Sequence, residues 1–337
     1  VAPFDVQYSF FQGGLINVVT RGGGNDLSGE IFYEYTDNSL RGDSFTYVDN
    51  LTGLTRTVAV NNVFEERTWG ATLSGPIIRD RLFFLLNYES FTGTEPSEFG
   101  PSGSGASSEI PGVTQADVDN VRNIMQTVYG YDPLGAQVSN IETTAEQYLV
   151  RLDWNINADH RAVLSWQHTE DGRLSQTGNS VGGRSLSLLS KYYTLDTELD
   201  VYRFQLFSNW TDNFSTEIAL GLKETTNISS PLGGSDFAEF RVYLAGGTGP
   251  SIYLGPDISR QANQLTNDLN QFRFRGTYQA GDHRITFGFE REDLSIFNLF
   301  VQRATGQYVF NSVADLQLRR AQSLQYSSAA SNIAEDG

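Results

Sequence analysis

The chain is 337 residues long, carries a formal charge of −17 and contains no cysteine. That charge argues against a nucleic-acid partner reached through phosphate contacts, and the missing thiols remove disulfides, thiolate metal sites and cysteine nucleophiles together. Hydrophobic residues make up 39% and nowhere run unbroken for the length of a transmembrane helix, yet a membrane β-barrel stays open because its strands alternate lipid-facing with lumen-facing side chains.

In chain order, residues 1–24 read as a short extended stretch from Leu15 to Val19 followed by a flexible exit at Gly22-Gly23-Gly24. A phosphate-cradling loop would need a helix after those glycines, and the sequence offers none. From Leu27 the pattern alternates, with Leu27, Gly29, Ile31, Tyr33 and Tyr35 on one face and Ser28, Glu30, Glu34 and Thr36 on the other. Period two places these on opposite sides of a half-buried strand. A polar loop rich in Asn, Asp, Thr and Gly follows, up to Val63.

The stretch from Gly70 to Glu89 predicts a hairpin. One strand ends at Gly75-Pro76, a charged turn sits at Arg79-Asp80-Arg81, and a second strand runs from Leu82 to Phe91. Near the turn the returning strand is apolar on both faces, so both must be sheltered there. Within the loop 92–144, Thr114 to Tyr129 predicts a helix: Thr114 as N-cap with Asp117 three residues on, apolar Val118, Val121, Met125 and Val128, and Gly130 as the stop.

The alternation then repeats three times. Tyr148, Val150, Leu152 and Trp154 oppose Leu149, Arg151 and Asp153, with a turn at Asn157-Ala158-Asp159-His160. Tyr202, Phe204, Leu206 and Trp210 oppose Arg203, Gln205 and Asn209, with a turn at Thr211-Asp212-Asn213 and a return carrying Glu217 and Lys223 on its polar face. Phe272, Phe274 and Tyr278 oppose Arg273 and Arg275, with a turn at Ala280-Gly281-Asp282-His283. Four short turns thus alternate with long loops, the asymmetry of outer-membrane barrels, and Trp154, Trp210 and Phe214 sit beside short turns where an aromatic girdle lies. The predicted architecture is all-β: an antiparallel up-and-down transmembrane barrel, incomplete at about nine strands of a larger barrel. Val1 without a leader and an end at Glu335-Asp336-Gly337 read as an internal fragment.

Two blocks resemble a known family. Gly70-Ala71-Thr72-Leu73-Ser74-Gly75-Pro76-Ile77-Ile78-Arg79-Asp80-Arg81-Leu82-Phe83-Phe84 is similar to the first barrel hairpin of TonB-dependent outer-membrane receptors, the Oar-like branch in particular. Ala2-Pro3-Phe4-Asp5-Val6 with Gly13-Gly14-Leu15-Ile16-Asn17-Val18-Val19-Thr20-Arg21 resembles their plug-to-barrel junction, although Tyr8-Ser9-Phe10-Phe11 replaces the expected glycine-rich spacer. The ending Tyr129-Gly130-Tyr131-Asp132-Pro133 of the loop helix is also similar to that branch. The resemblance implies residues 1–24 as the end of a plug, 25–337 as the first part of the barrel, and about 22 strands for the barrel as a whole. It further implies binding of a scarce extracellular solute and uptake energised through TonB, which would engage a segment outside this chain. A structural or adhesive surface protein and a passive pore are the alternatives.

The implied site is one of binding and gating, with no catalytic residue, cofactor or metal expected. Asn17, Thr20 and Arg21 are the junction residues, and Arg151, Arg203, Glu217, Lys223, Arg273 and Arg275 are candidates to face the lumen. Gly178-Asn179-Ser180-Val181-Gly182 matches the hydrolase nucleophile elbow in letters only, since that elbow needs a strand before and a helix after it. Of the three histidines, His160, His168 and His283, the first and last occupy equivalent turns several strands apart and read as solvated turn residues, not as converging ligands.

Overall fold

The computed structural model of the protein describes residues 20–42, 44–48, 53–59, 63–95, 97–137 and 141–327. After an extended strap at 20–27 the chain enters β1 (Ser28–Asp37), a loop hairpin of β2 (Ser44–Val48) and β3 (Thr55–Ala59), then β4 (Glu65–Ile78) and β5 (Leu82–Glu95). The next connection holds β6 (Phe99–Pro101), β7 (Ser108–Ile110) and helix α1 (Gln115–Ile124) before β8 (Ile141–Asn155) and β9 (His160–Ser175). β10 (Ser185–Ser187) precedes β11 (Tyr193–Thr211) and β12 (Phe214–Pro231), and the hairpin β13 (Glu239–Ala245) and β14 (Thr248–Leu254) precedes β15 (Asn263–Ala280) and β16 (His283–Phe300). β17 (Gln307–Phe310), helix α2 (Val313–Gln317) and β18 (Ser323–Gln325) follow.

Nine of these strands form one antiparallel meander in the order β1-β4-β5-β8-β9-β11-β12-β15-β16, the nine that the alternation predicts. The short turns all fall at one end and the long connections at the other. The strands are longer than the apolar pattern suggests: β11 runs 19 residues and β12 and β15 run 18 each, against roughly ten needed to cross a bilayer. Pairs such as Thr225↔Asn267 and Thr226↔Thr266 carry the ladder onward. Main-chain hydrogen bonds do not depend on apolar side chains, so hydrophobic periodicity stops before the strand does.

Register sorts the side chains. Leu73, Leu86, Val150, Trp166, Tyr202 and Leu222 lie side by side in one row across six strands. One residue along each strand, the row on the opposite face reads Leu85, Arg151, Ser165, Arg203, Gly221 and Gln271. The sheet therefore has an oily face and a polar face. Trp154 and Trp210, at the short-turn end of the oily face, are 48% and 58% exposed, as a membrane-edge girdle requires.

The dry core is elsewhere. The long connections fold together: β10, β14, β13, β17 and β18 make a mixed five-stranded sheet, on which α1 and α2 pack. Val113, Val121, Met125, Leu188, Val242 and Ile252 are fully buried there. Helix α1 begins as its letters predict. The Thr114 hydroxyl accepts from Asp117 N–H at 3.2 Å, while the Asp117 carboxylate accepts from Thr114 N–H at 2.9 Å, a reciprocal cap that satisfies two orphan donors. Its last turn widens over Met125–Tyr129 and ends where Gly130 takes φ 69°. Loops read as separate polar excursions in the sequence thus form one packed cap, because β13 pairs in parallel with β17 and β10 with β14 across long sequence separations.

Candidate functional site

The polar face of the sheet carries two charged constellations. In the first, the Arg151 guanidinium donates to both oxygens of Asp153, at 2.7 and 2.8 Å, and Arg161 donates to Asp153 Oδ1 at 2.9 Å. Two residues apart on β8, Arg151 and Asp153 share a face, and Arg161 reaches them from β9. The Asp153 side chain is 8% exposed and that of Arg151 13%, whereas Arg161 is half open to solvent. The remaining Arg151 nitrogen donates to the strap, at 2.6 Å to Thr20 Oγ1 and 3.2 Å to the Thr20 carbonyl.

The strap itself is fitted to this wall. A Cβ built on Gly23 would strike the Phe84 carbonyl oxygen and come within 2.8 Å of Phe83 Cβ, so only glycine permits that approach. Asn25 then closes on the short turn, donating to Asp80 Oδ1 at 2.6 Å and accepting from Asp80 N–H at 2.7 Å, where Asp80 holds φ 63°. Phe83 and Leu85, on the polar face at the same place, are 8% and 5% exposed. This accounts for the doubly apolar strand after the turn: one side belongs to the oily face and the other is sheltered from water.

The second constellation is Glu217 on β12, which accepts from Arg273 at 2.5 Å and also from Arg275, both on β15. Glu217 faces Arg275 directly in the register, and Arg273 is the next residue along the same face. Arg203 and Lys223 share that face by register and are exposed. The six residues put forward from the sequence as candidates to face the lumen share one face of the sheet by register, in two ion-pair groups plus two exposed cations. Of the junction residues, Thr20 is in contact with Arg151, Arg21 is exposed, and Asn17 lies outside the described residues.

The sequence reading gave no site role to Asp153, Arg161, Asn25 or Asp80. The spacing Arg151-x-Asp153, opposite charges on one face of a strand, was the available signal for the first. It also treated the histidines singly, whereas His168 Nδ1 lies 3.2 Å from Asp200 and the two share with Glu198 a cluster whose ligand atoms fall within 4.8 Å of one another. Asp200 Oδ1 is also engaged by Trp166 Nε1 at 2.7 Å. Ser180 sits in a loop where it bridges Ser185, with its hydroxyl accepting from Gly183 N–H, so the strand–turn–helix frame of a nucleophile elbow is not there.

Residues 19–101, spanning the strap, β1 and the first long hairpin, match the family model described as an outer membrane beta barrel domain. The strands belong to an outer-membrane β-barrel. Over 177 residues, 51% of this chain, the barrel is 28% identical to the TonB-dependent transporter Oar of Myxococcus xanthus, and the match spans 14% of that protein's length. The outer membrane transporter YddB of Escherichia coli superposes with a TM-score of 0.53 at 10% identity, over 86% of this chain and 33% of that one, a likeness of fold. The barrel thus lies in the outer membrane of a Gram-negative bacterium, with transporters as its relatives.

Proposed function

We propose that this chain forms part of the wall of a plugged, energised outer-membrane transporter. On this reading residues 1–24 are the end of the plug and residues from 25 onward the barrel, the oily face meets lipid, and the polar face lines an aqueous lumen. The observation that carries it is the strap: Thr20 is held by Arg151 on the polar face, and Asn25 by Asp80 at the short turn. A chain segment seated on the lumen wall is what a plug needs where it joins its barrel. A passive pore has no use for one, and an adhesin that works through its outer loops gains nothing from it.

Arg203, Lys223 and the Glu217–Arg273–Arg275 group would then contact plug or solute, and TonB, acting on a segment outside this chain, would supply the work from the inner membrane. The reading is tested with a reporter on the outer loops. This chain has no native cysteine, and Ser180 is exposed, so Ser180→Cys, in the full-length protein with any cysteine outside these residues replaced by serine, can be labelled on living cells with an impermeant maleimide. The labelling rate should differ between energised cells and cells treated with a protonophore, and the difference should vanish in a strain lacking TonB. Equal labelling in all three would end the transporter reading in favour of a passive surface protein.

A further inference from the structure

The packed cap of outer loops contains a buried charge cluster that the transport reading does not use. Lys191, at the end of a short helical turn before β11, has its side chain 4% exposed; Glu239, at the start of β13, is 1% exposed, and Asp257, just after β14, is 14% exposed. Lys191 Nζ is in contact with Glu239 Oε2 and lies 2.7 Å from Asp257 Oδ2.

Each partner is held from the other side. Glu239 accepts from Gln307 Nε2 at 2.6 Å and from Ile258 N–H at 3.2 Å, and Asp257 Oδ1 accepts from Ser259 N–H at 2.9 Å. The lysine's own turn is pinned to the aspartate's segment, since Ser190 Oγ accepts from Gly255 N–H at 2.9 Å. Its stem passes over Gly178, at φ 83°, where any Cβ would collide with it, and the Tyr253 ring lies 5.3 Å from the ammonium.

We propose that Lys191 and Asp257 join in an intramolecular amide bond, with Glu239 as the proton carrier. Burial raises the Asp257 carboxyl, but the adjacent Lys191 ammonium and the Ser259 N–H hold it below its ordinary range, so the acid enters the reaction as a carboxylate. Glu239 takes a proton from Nζ, and the freed amine attacks Asp257 Cγ while Glu239 returns that proton to a carboxyl oxygen. Glu239 then removes the second Nζ proton and delivers it to the departing hydroxyl. One N–C bond forms, one C–O bond breaks, one water leaves, and Glu239 ends as the carboxylate it began as. No oxidant or external reactant is needed.

Two physical circumstances favour a condensation that is uphill in open water. Nucleophile and carboxyl are already in contact on fixed segments, and such positioning reaches effective concentrations of up to roughly 10⁸ M. The cluster is also nearly dry, so forming a neutral amide removes two desolvated charges. The bond would tie the connection before β11 to the one before β15. A cap built in a chain with no cysteine would thereby gain the cross-link that a disulfide otherwise supplies.

The test is a tryptic peptide map of the full-length protein purified from its membrane. An acylated Lys191 resists cleavage, so residues 185–203 should appear joined to residues 242–260, lighter than the two peptides together by one water. Lys191→Ala and Asp257→Ala should abolish the joined species. Glu239→Gln, which preserves the shape of the side chain, should leave most molecules unjoined. Asp257→Asn should still join, losing one ammonia instead of one water. Separate peptides from the native protein, a link to the Glu239 peptide at 224–241, or full joining in Glu239→Gln would each overturn the proposal.

Discussion

Removing the Asp153 carboxylate measures how firmly the strap's anchor is held. In Asp153→Ala the Arg151 guanidinium loses a two-pronged pair, at 2.7 and 2.8 Å, while remaining 13% exposed. Leaving one partner of a fully buried pair alone costs about 3–5 kcal/mol, and access of water to the polar face brings this to about 2–3 kcal/mol. Arg161 is half exposed and adds under ~1 kcal/mol. Arg151→Met removes the stranded charge, so the double variant should recover about 2 kcal/mol relative to the sum of the single ones. Urea unfolding from detergent micelles, followed by the fluorescence of the four tryptophans, supplies the cycle. A coupling below ~0.5 kcal/mol, the scatter expected of independent sites, would refute the argument that Asp153 holds Arg151 in place.

Gly23→Ala should lift the strap off the wall, since the new methyl meets the Phe84 carbonyl; protease cleavage near residue 23 should accelerate while the barrel keeps its heat-modifiable gel migration. Phe240→Ala removes a 5%-exposed ring in contact with Tyr129, Phe237, Tyr308 and Phe310, and should destabilise the cap by about 3–5 kcal/mol, read as faster loop proteolysis on intact cells. Burial pushes the Tyr192 hydroxyl up to about 12, partly offset by a hydrogen bond from Asn179. Because an unfolded tyrosine ionises near pH 10, stability from this group is complete below that pH and is lost as pH rises toward 12. A spectrophotometric titration of Tyr192→Phe should show one fewer late-ionising phenol than the native protein.

Alternation alone determined which face of each barrel strand a side chain occupies, since a period of two fixes sidedness without knowledge of neighbours. It therefore placed Arg151, Arg203, Glu217, Lys223, Arg273 and Arg275 on one face, and the Thr114–Asp117 cap and Gly130 stop placed the loop helix, because these are local rules. Which of the six cations and acids touch was decided by register, through the offset that sets Glu217 against Arg275 and beside Arg273. The docking of Thr20 on Arg151, across 131 positions of sequence, and the meeting of Lys191, Glu239 and Asp257 inside the cap were likewise settled only in three dimensions. Long-range parallel pairings such as β13 with β17 leave no periodic trace in the letters, because their partners are chosen by shape and burial and not by spacing along the chain.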